Sequence, residues 1–415
     1  MTTAPTLPLN PFRPGAGQQP IYLSGRTKEQ DTFRNMLRQN PISQNGIVTG
    51  LRGVGKTVLL ETFKPIAQAE HWLWTGNDLS ESTSLTEDRV ARRLVVDIST
   101  LLGPLITLTN KTEAFGFNTE KMVVSRPLAF DDLWSIFENT SGLIIDKIQA
   151  VFAAVDDLVK NEPLKGIVFA YDEAQNLADH AASKEFPLSL ILDLFSFLQR
   201  KGFIKQYLLV LTGLPTLFPK LNEARTYTER MFHVMQLDRL EPDDAQKAVE
   251  EPLNITNSSL RFAEKTIDTI VKKSGGYPYF IQFMGKEVFD AWIGKITKGE
   301  APSAPMEQIL EKLDQDFFAP RWVRATDRQQ QFMQVISTLP NSEEEFSVPE
   351  IAKASREILK SGFTPSHAVQ ILQALAERGL IYRNRRGAYC FAVPLLSRFI
   401  NRQAWDPASL RATNA

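Results

Sequence analysis

Residues 50–57 read Gly50-Leu51-Arg52-Gly53-Val54-Gly55-Lys56-Thr57. This Gly-x4-Gly-Lys-Thr spacing fits the phosphate-loop template without deviation. Each residue type has a physical reason. The glycines let backbone N–H groups converge on phosphate oxygens. Lys56 brings a compact cation to the β- and γ-phosphates, and Thr57 offers a hydroxyl to Mg2+. The helix expected next adds its positive N-terminal end. The flanks agree: Asn45 to Thr49 predicts a short buried strand and Val58 to Ala67 a helix. ATP and Mg2+ are therefore the expected cofactors, bound by the loop and Val58, with Lys56 also acting in catalysis and Thr57 on the metal.

Downstream, Gly166 to Tyr171 is a continuous apolar run that ends in Asp172-Glu173. Such a run predicts a strand buried on both faces. Asp172 is the expected second Mg2+ ligand, a hard oxygen acting through the water shell. Glu173 is the expected general base that polarises the attacking water. Further strands are predicted at His71 to Thr75, Gln206 to Leu211 and Met231 to Leu237. They alternate with helices at Thr27 to Leu37, Thr86 to Leu102, Ser141 to Lys160 and Leu188 to Arg200. Alternation of this kind predicts an α/β domain with a parallel sheet, over about residues 21–240. Residues 103–140 fit no simple element and are expected to be an insertion. Ahead of the domain, Pro5, Pro8, Pro11, Pro14 and Pro20 predict an extended arm over residues 1–20.

Residues 241–318 read as helices only, at Pro242 to Glu250, Leu260 to Lys273, Tyr279 to Ile293 and Met306 to Phe317. They predict an all-α lid and linker helix. The pattern changes again over residues 325–402, before a tail at 403–415. Helices are predicted at Asp327 to Leu339, within Val348 to Lys360, and from Thr364-Pro365 to Gly379. Two strands, Leu380 to Tyr382 and Tyr389 to Val393, then flank Arg383-Asn384-Arg385-Arg386-Gly387. Three helices and a hairpin make a winged helix-turn-helix pattern. On its third helix Ala368, Ile371, Leu372 and Leu375 should face the core. Ser366, Gln370 and Gln373 share the other face, the one a helix-turn-helix lays in the major groove. Residues 321–402 hold twelve Lys/Arg and seven acids, a local +5 against −1 for the whole chain. Duplex DNA is the expected partner, with Gln370 and Gln373 on bases and Arg383, Arg385 and Arg386 on phosphates. A winged helix that contacts protein is the alternative.

The 415 residues are 43% hydrophobic and 23% charged, an ordinary globular composition. One cysteine, Cys390, excludes an internal disulfide framework and cysteine-clustered zinc. The four histidines are scattered without ligand spacing. The longest apolar stretch, Gly142 to Val159, is broken by Asp146, Lys147, Asp156 and Asp157, so no membrane span is expected. A cytoplasmic location is the expectation.

The loop and the Asp172-Glu173 strand resemble the AAA+ ATPases. The nearest likeness is to their initiator-type and archaeal-ATPase-like branch, whose lid is followed by a winged helix. The resemblance covers about residues 21–402 and implies the sheet order 5-1-4-3-2. Tyr22-Leu23-Ser24-Gly25-Arg26 looks like the segment that lines the adenine pocket, which implies nucleotide contacts for Gly25 and Arg26. Thr212 falls at the sensor-1 position, near the γ-phosphate. Arg230 lies where such families carry an arginine finger, with Arg225 as its competitor. The lid stretch Gly275-Gly276-Tyr277-Pro278-Tyr279-Phe280 lacks a sensor-2 arginine. Its Gly-Gly-x-Pro is similar to the signal-transduction (STAND) ATPases, where the lid, here with Pro278, approaches the nucleotide through such a turn. The resemblance implies an ATP hydrolase that couples Mg-ATP to homo-oligomerisation and DNA engagement. The alternative it leaves open is a slow ATP/ADP switch with protein partners.

Overall fold

The computed structural model describes residues 8–112, 122–256, 258 and 260–403. The chain forms two compact units. One comprises Thr27–Thr49 and Leu59–Gln236; the other comprises Met1–Arg26, Gly50–Val58 and Leu237–Ala415.

The first unit is built on strands β1 (Asn45–Gly50), β2 (Trp72–Thr75), β5 (Gly166–Tyr171), β6 (Gln206–Gly213) and β7 (Phe232–Leu237), with β3 (Thr107–Thr112) and β4 (Met122–Pro127) apart from them. The sheet order is β2-β5-β6-β1-β7. Counting only its five strands along the chain, this is the expected 5-1-4-3-2. β1 runs parallel to β6, with Val48 beside Thr212, and β6 parallel to β5, with Leu211 beside Tyr171. Every residue of β1 and β5 is buried. Runs of Ile, Val and Phe suit strands covered on both faces. The covering helices are α1 (Thr27–Leu37), α2 (Lys56–Ala69), α3 (Glu87–Leu102), α4 (Phe130–Asn139), α5 (Ile144–Val159), α6 (Pro187–Lys201), α7 (Leu217–Ala224) and α8 (Thr228–Met231). Thr86 caps α3 by accepting from the Arg89 N–H at 3.3 Å. Phe169 packs edge-on against Phe195 (5.4 Å), and Phe152 against Tyr207 (5.3 Å). Each ring so buried contributes about 1.5–3 kcal/mol.

The segment 103–140 is more regular than expected. β3 and β4 pair antiparallel from Thr107 opposite Pro127 to Thr112 opposite Met122. α4 follows, and Arg92 of α3 lies 4.3 Å over its Trp134 ring. The sequence Thr107-Leu108-Thr109-Asn110-Lys111-Thr112 has no apolar run to betray a strand, because backbone pairing holds the ribbon. Residues 113–121 lie outside the described residues. α7 and α8 were also not expected.

In the second unit, α9 (Pro242–Ile255), α10 (Glu264–Ser274), α11 (Pro278–Ile296) and α12 (Met306–Leu313) are followed by a π-turn, Asp314–Phe318, and by α13 (Ala319–Trp322). The N-terminal arm straps α11. Phe12 is buried against Gly285, where an added Cβ would come within 2.6 Å of its ring. Asn10 donates to Lys286 O (3.0 Å) and Asp290 Oδ1 (2.7 Å). Residues 1–7 of the expected arm and 404–415 of the expected tail lie outside the described residues.

The C-terminal part holds α14 (Asp327–Ser337), β8 (Phe346–Ser347), α15 (Val348–Ile358), α16 (Pro365–Glu377), β9 (Ile381–Arg385), β10 (Ala388–Phe391) and α17 (Leu396–Arg402). Its sheet order is β8-β10-β9. Thr364 caps α16, Pro365 opens it, and Gly379 beyond its end has φ 66°. Ala368, Ile371, Leu372 and Leu375 are buried, as the periodicity predicts. Among the described residues no helix is long and apolar enough to cross a membrane.

Candidate functional site

The loop after β1 is shaped by its glycines. A Cβ on Gly50 would strike Leu237 O at 2.4 Å, so packing alone forbids a side chain there. Gly53 and Gly55 have φ of 80° and 93°, the left-handed region that glycine enters without penalty. A Cβ on Gly55 would meet nothing within 4 Å, so the space before the loop is open. The Lys56 ammonium lies inside the loop and donates to Gly50 O and Leu51 O, each at 2.9 Å. The loop amides, an internal cation, the Thr57 hydroxyl and a helix N-terminus form a donor set suited to a nucleoside triphosphate.

The same unit brings three other expected residues to this loop. Arg26, 7% exposed, donates to Val54 O (3.1 Å) and Asp238 O (2.7 Å). Gly25, with φ 64°, lets the chain pass Asp244, whose Oδ2 would lie 2.8 Å from an added Cβ. Pro278 starts α11, where its missing N–H is harmless. Next to it, the Tyr279 N–H donates to Gly53 O at 3.1 Å. Gly275 and Gly276, at φ 60° and 77°, make the turn that delivers this contact.

The other unit holds the acids. Asp172 is 4% exposed and stands at the end of β5. Thr212 is fully buried on β6, and its hydroxyl donates to Asp172 Oδ1. The Asp172 backbone is fixed on its far side, its N–H donating to Asn77 O (3.2 Å) and its carbonyl accepting from Leu79 N (2.9 Å). Buried Asp97 braces this edge, accepting from the Tyr171 hydroxyl at 2.8 Å and the Asn77 amide at 3.2 Å. Burial, then the Asp97 charge, holds the Tyr171 hydroxyl well above its usual pKa, so it stays a donor.

Glu173 is exposed and adopts φ 52°, ψ 34°. A left-handed backbone costs a non-glycine residue roughly 1–2 kcal/mol. Such strain persists only where the surrounding structure fixes it. Its N–H donates to Asp172 Oδ1 at 2.7 Å, and its carboxylate accepts from the Gln175 amide. Gln175 in turn accepts from the Leu214 N–H at 3.2 Å, so it links Glu173 to the end of β6. Sequence reasoning missed both Gln175 and Asp78. Asp78 forms a parallel bridge with Asp172. Partial burial, then the charges of Asp172 and Glu173, raise its carboxyl pKa. Among the described residues no group of three or more such side chains is set around a metal. Mg2+ needs few, since it keeps several waters and takes one or two carboxylates with phosphate oxygens.

The two arginine candidates differ. Arg225 is committed to Asp193, through Nε at 3.0 Å and Nη2 at 2.7 Å, with the Tyr227 hydroxyl on the same carboxylate at 2.7 Å. Arg230 is exposed, and its side chain makes no ion pair among the described residues. In the C-terminal part, Gln370 and Gln373 are exposed on one face of α16. Arg383 and Arg386 are exposed, whereas Arg385 pairs with Glu345 at 2.6 Å.

Residues 315–400 match a family profile described as a domain of unknown function, DUF8462. Among curated proteins there is no match. Among solved structures, the chain is similar to a Walker-type ATPase of Pyrococcus abyssi, at 17% identity and TM-score 0.57, over 91% of this chain and 96% of that one. It is also similar to the ORC2 protein of Aeropyrum pernix in ADPNP-ADP complexes, at 12% identity and TM-score 0.53, over 94% and 96% of the two chains. The ADP form of that protein gives TM-score 0.51 at 12% identity, over 94% and 95% of the two chains. With the strand order, these likenesses show the fold: the chain has an α/β core of the AAA+ P-loop NTPase type.

Proposed function

We propose that the protein is a Mg2+-dependent ATPase whose nucleotide state governs self-assembly and engagement of duplex DNA. One observation carries this reading. β1, β6 and β5 are parallel neighbours, so the end of β1, which the glycine loop follows in sequence, lies at the sheet edge where Thr212 donates to Asp172. In this reading the loop amides and Lys56 bind and orient the triphosphate end, and Gly25 and Arg26 line the adenine pocket. Thr57 and Asp172 hold Mg2+, which when bound supplies charge neutralisation at the phosphates. Glu173, strained and tethered by Gln175, accepts a proton from water. Arg230, whose side chain makes no ion pair among the described residues, serves a neighbouring subunit's site.

The C-terminal part is proposed to be a winged helix, with α16 for bases and the β9–β10 hairpin for phosphates. A regulatory switch with protein partners is the second reading. The Arg385–Glu345 pair and the arginine-free lid turn favour it. One experiment separates the two: ATP turnover and particle size in ATP and ADP, with DNA titrated at several salt concentrations. The first reading expects salt-sensitive DNA binding that rises with assembly in ATP. Alanine at Arg383 or Arg386 should then flatten the slope of log K against log salt by about 0.9 per lost contact. Nucleotide-dependent assembly without DNA binding in either state would favour the switch.

A further inference from the structure

Within the unit that carries the phosphate loop, four arginines gather beside it. Arg52 is the third residue of the loop, and its Nη2 lies 3.5 Å from where a Cβ on Gly379 would stand. Arg378, next to Gly379, donates to the carbonyl of Arg324. Arg321, on α13, sits 4.0 Å over the Phe317 ring, and that ring is 5.1 Å from the ring of Tyr279. Tyr279 is the residue whose N–H holds Gly53 O. Arg321 is therefore fixed to the flank of the loop through two packed rings. Elsewhere in the C-terminal part Arg385, Arg398 and Arg402 take the carboxylates of Glu345, Glu343 and Asp314. Among the described residues Arg52, Arg321, Arg324 and Arg378 take none. Arg321 is half-buried and donates to Phe317 O, whereas Arg52, Arg324 and Arg378 are exposed. Burial first, then the nearby Arg52 and Arg324 charges, push its pKa down, and only Tyr279 pulls the other way. The Asp316 charge acts on Tyr279.

A half-buried cation held near like charges is costly unless an anion answers it. A planar fork of donors suits a phosphoryl group. We infer that Arg321 and Arg52 form a seat for the terminal phosphate of the nucleotide. Arg321 lies within residues 315–400, so this part of the chain, and not the lid helix, supplies the cation that tells ATP from ADP. The inference rests on the nucleotide reading above and adds a residue to it.

The test is calorimetric titration of wild type, R321Q, R52Q and the double variant with a non-hydrolysable ATP analogue and with ADP, both with Mg2+. R321Q should weaken the analogue by about tenfold to a hundredfold, as expected for a lost charge-assisted hydrogen bond, and leave ADP unchanged. The double variant should lose less than the product of the single losses, since both groups serve one phosphate. R321K should recover part of the preference. If R321Q does not fold, exposed R52Q carries the same comparison. Equal losses for both nucleotides, or none, overturn the inference while leaving ATP binding in place. A wild type that binds neither nucleotide overturns the reading beneath it. Loss of duplex DNA binding with an unchanged ATP/ADP ratio overturns it too, and reassigns the arginines to nucleic-acid phosphates.

Discussion

The loop that leaves β1 and the turn that leaves β5 start from one sheet edge and are built in opposite ways. The loop takes its left-handed residues from glycine, at positions 53 and 55, so its shape carries little strain. The turn places a glutamate in the same region at position 173 and holds it with Asp172 and Gln175. A loop that must only fit a ligand can be made of residues without side chains. A turn that must present a carboxylate cannot. Under the proposed function binding falls to the first and turnover to the second, and the two should be separable by substitution.

The largest effect is expected in the loop. Lys56→Ala should abolish ATP binding with an unchanged melting temperature, because the ammonium lies in the loop and not in the core. Micromolar affinity in the folded variant would break the assignment. Arg230→Ala should bind ATP yet lose hydrolysis by roughly 10³–10⁵, the worth of an arginine supplied in trans. Arg225→Ala should behave differently and lower the melting temperature, since it frees Asp193 and Tyr227. If the two variants exchange these behaviours, the finger is Arg225.

Glu173→Gln should bind Mg-ATP normally and slow turnover by about 10²–10⁴, the usual worth of a general base. A wild-type rate would remove Glu173 from the chemistry. The smallest effect concerns Asp78. Its carboxyl pKa is raised in the folded state. The folded protein therefore holds this proton more tightly, and the ionised group weighs against folding once pH exceeds the ordinary carboxylate range. Asp78→Asn should raise the melting temperature at neutral pH and leave it unchanged below the usual aspartate pKa. An equal shift at both pH values would mean that the gain is not electrostatic.

Much of this contrast is legible in the sequence, and the boundary is physical. The glycine loop, the buried strands and the Thr364-Pro365 start of α16 announce themselves through local chemistry. The strand order followed from family likeness. Asp78 and Gln175 could not be found that way, because neither matters until β2, β5 and β6 are in register. Arg321 is similarly silent, since its meaning depends on two aromatic rings and a loop far away in the chain. The β3–β4 ribbon was missed for another reason: β3 is mostly polar, and the apolar run Met122-Val123-Val124 of β4 is too short to declare a strand alone.

The strap across α11 has a consequence for the order of events during synthesis. Asn10 and its acceptor Lys286 are separated by 276 residues. At about 5–20 residues per second, that seat follows the strap out of the ribosome by roughly 14–55 s. For that time Phe12, which ends 3% exposed, has no pocket to enter. Docking of the strap is therefore among the late steps of folding, and a nascent chain halted before α11 would carry this phenylalanine uncovered.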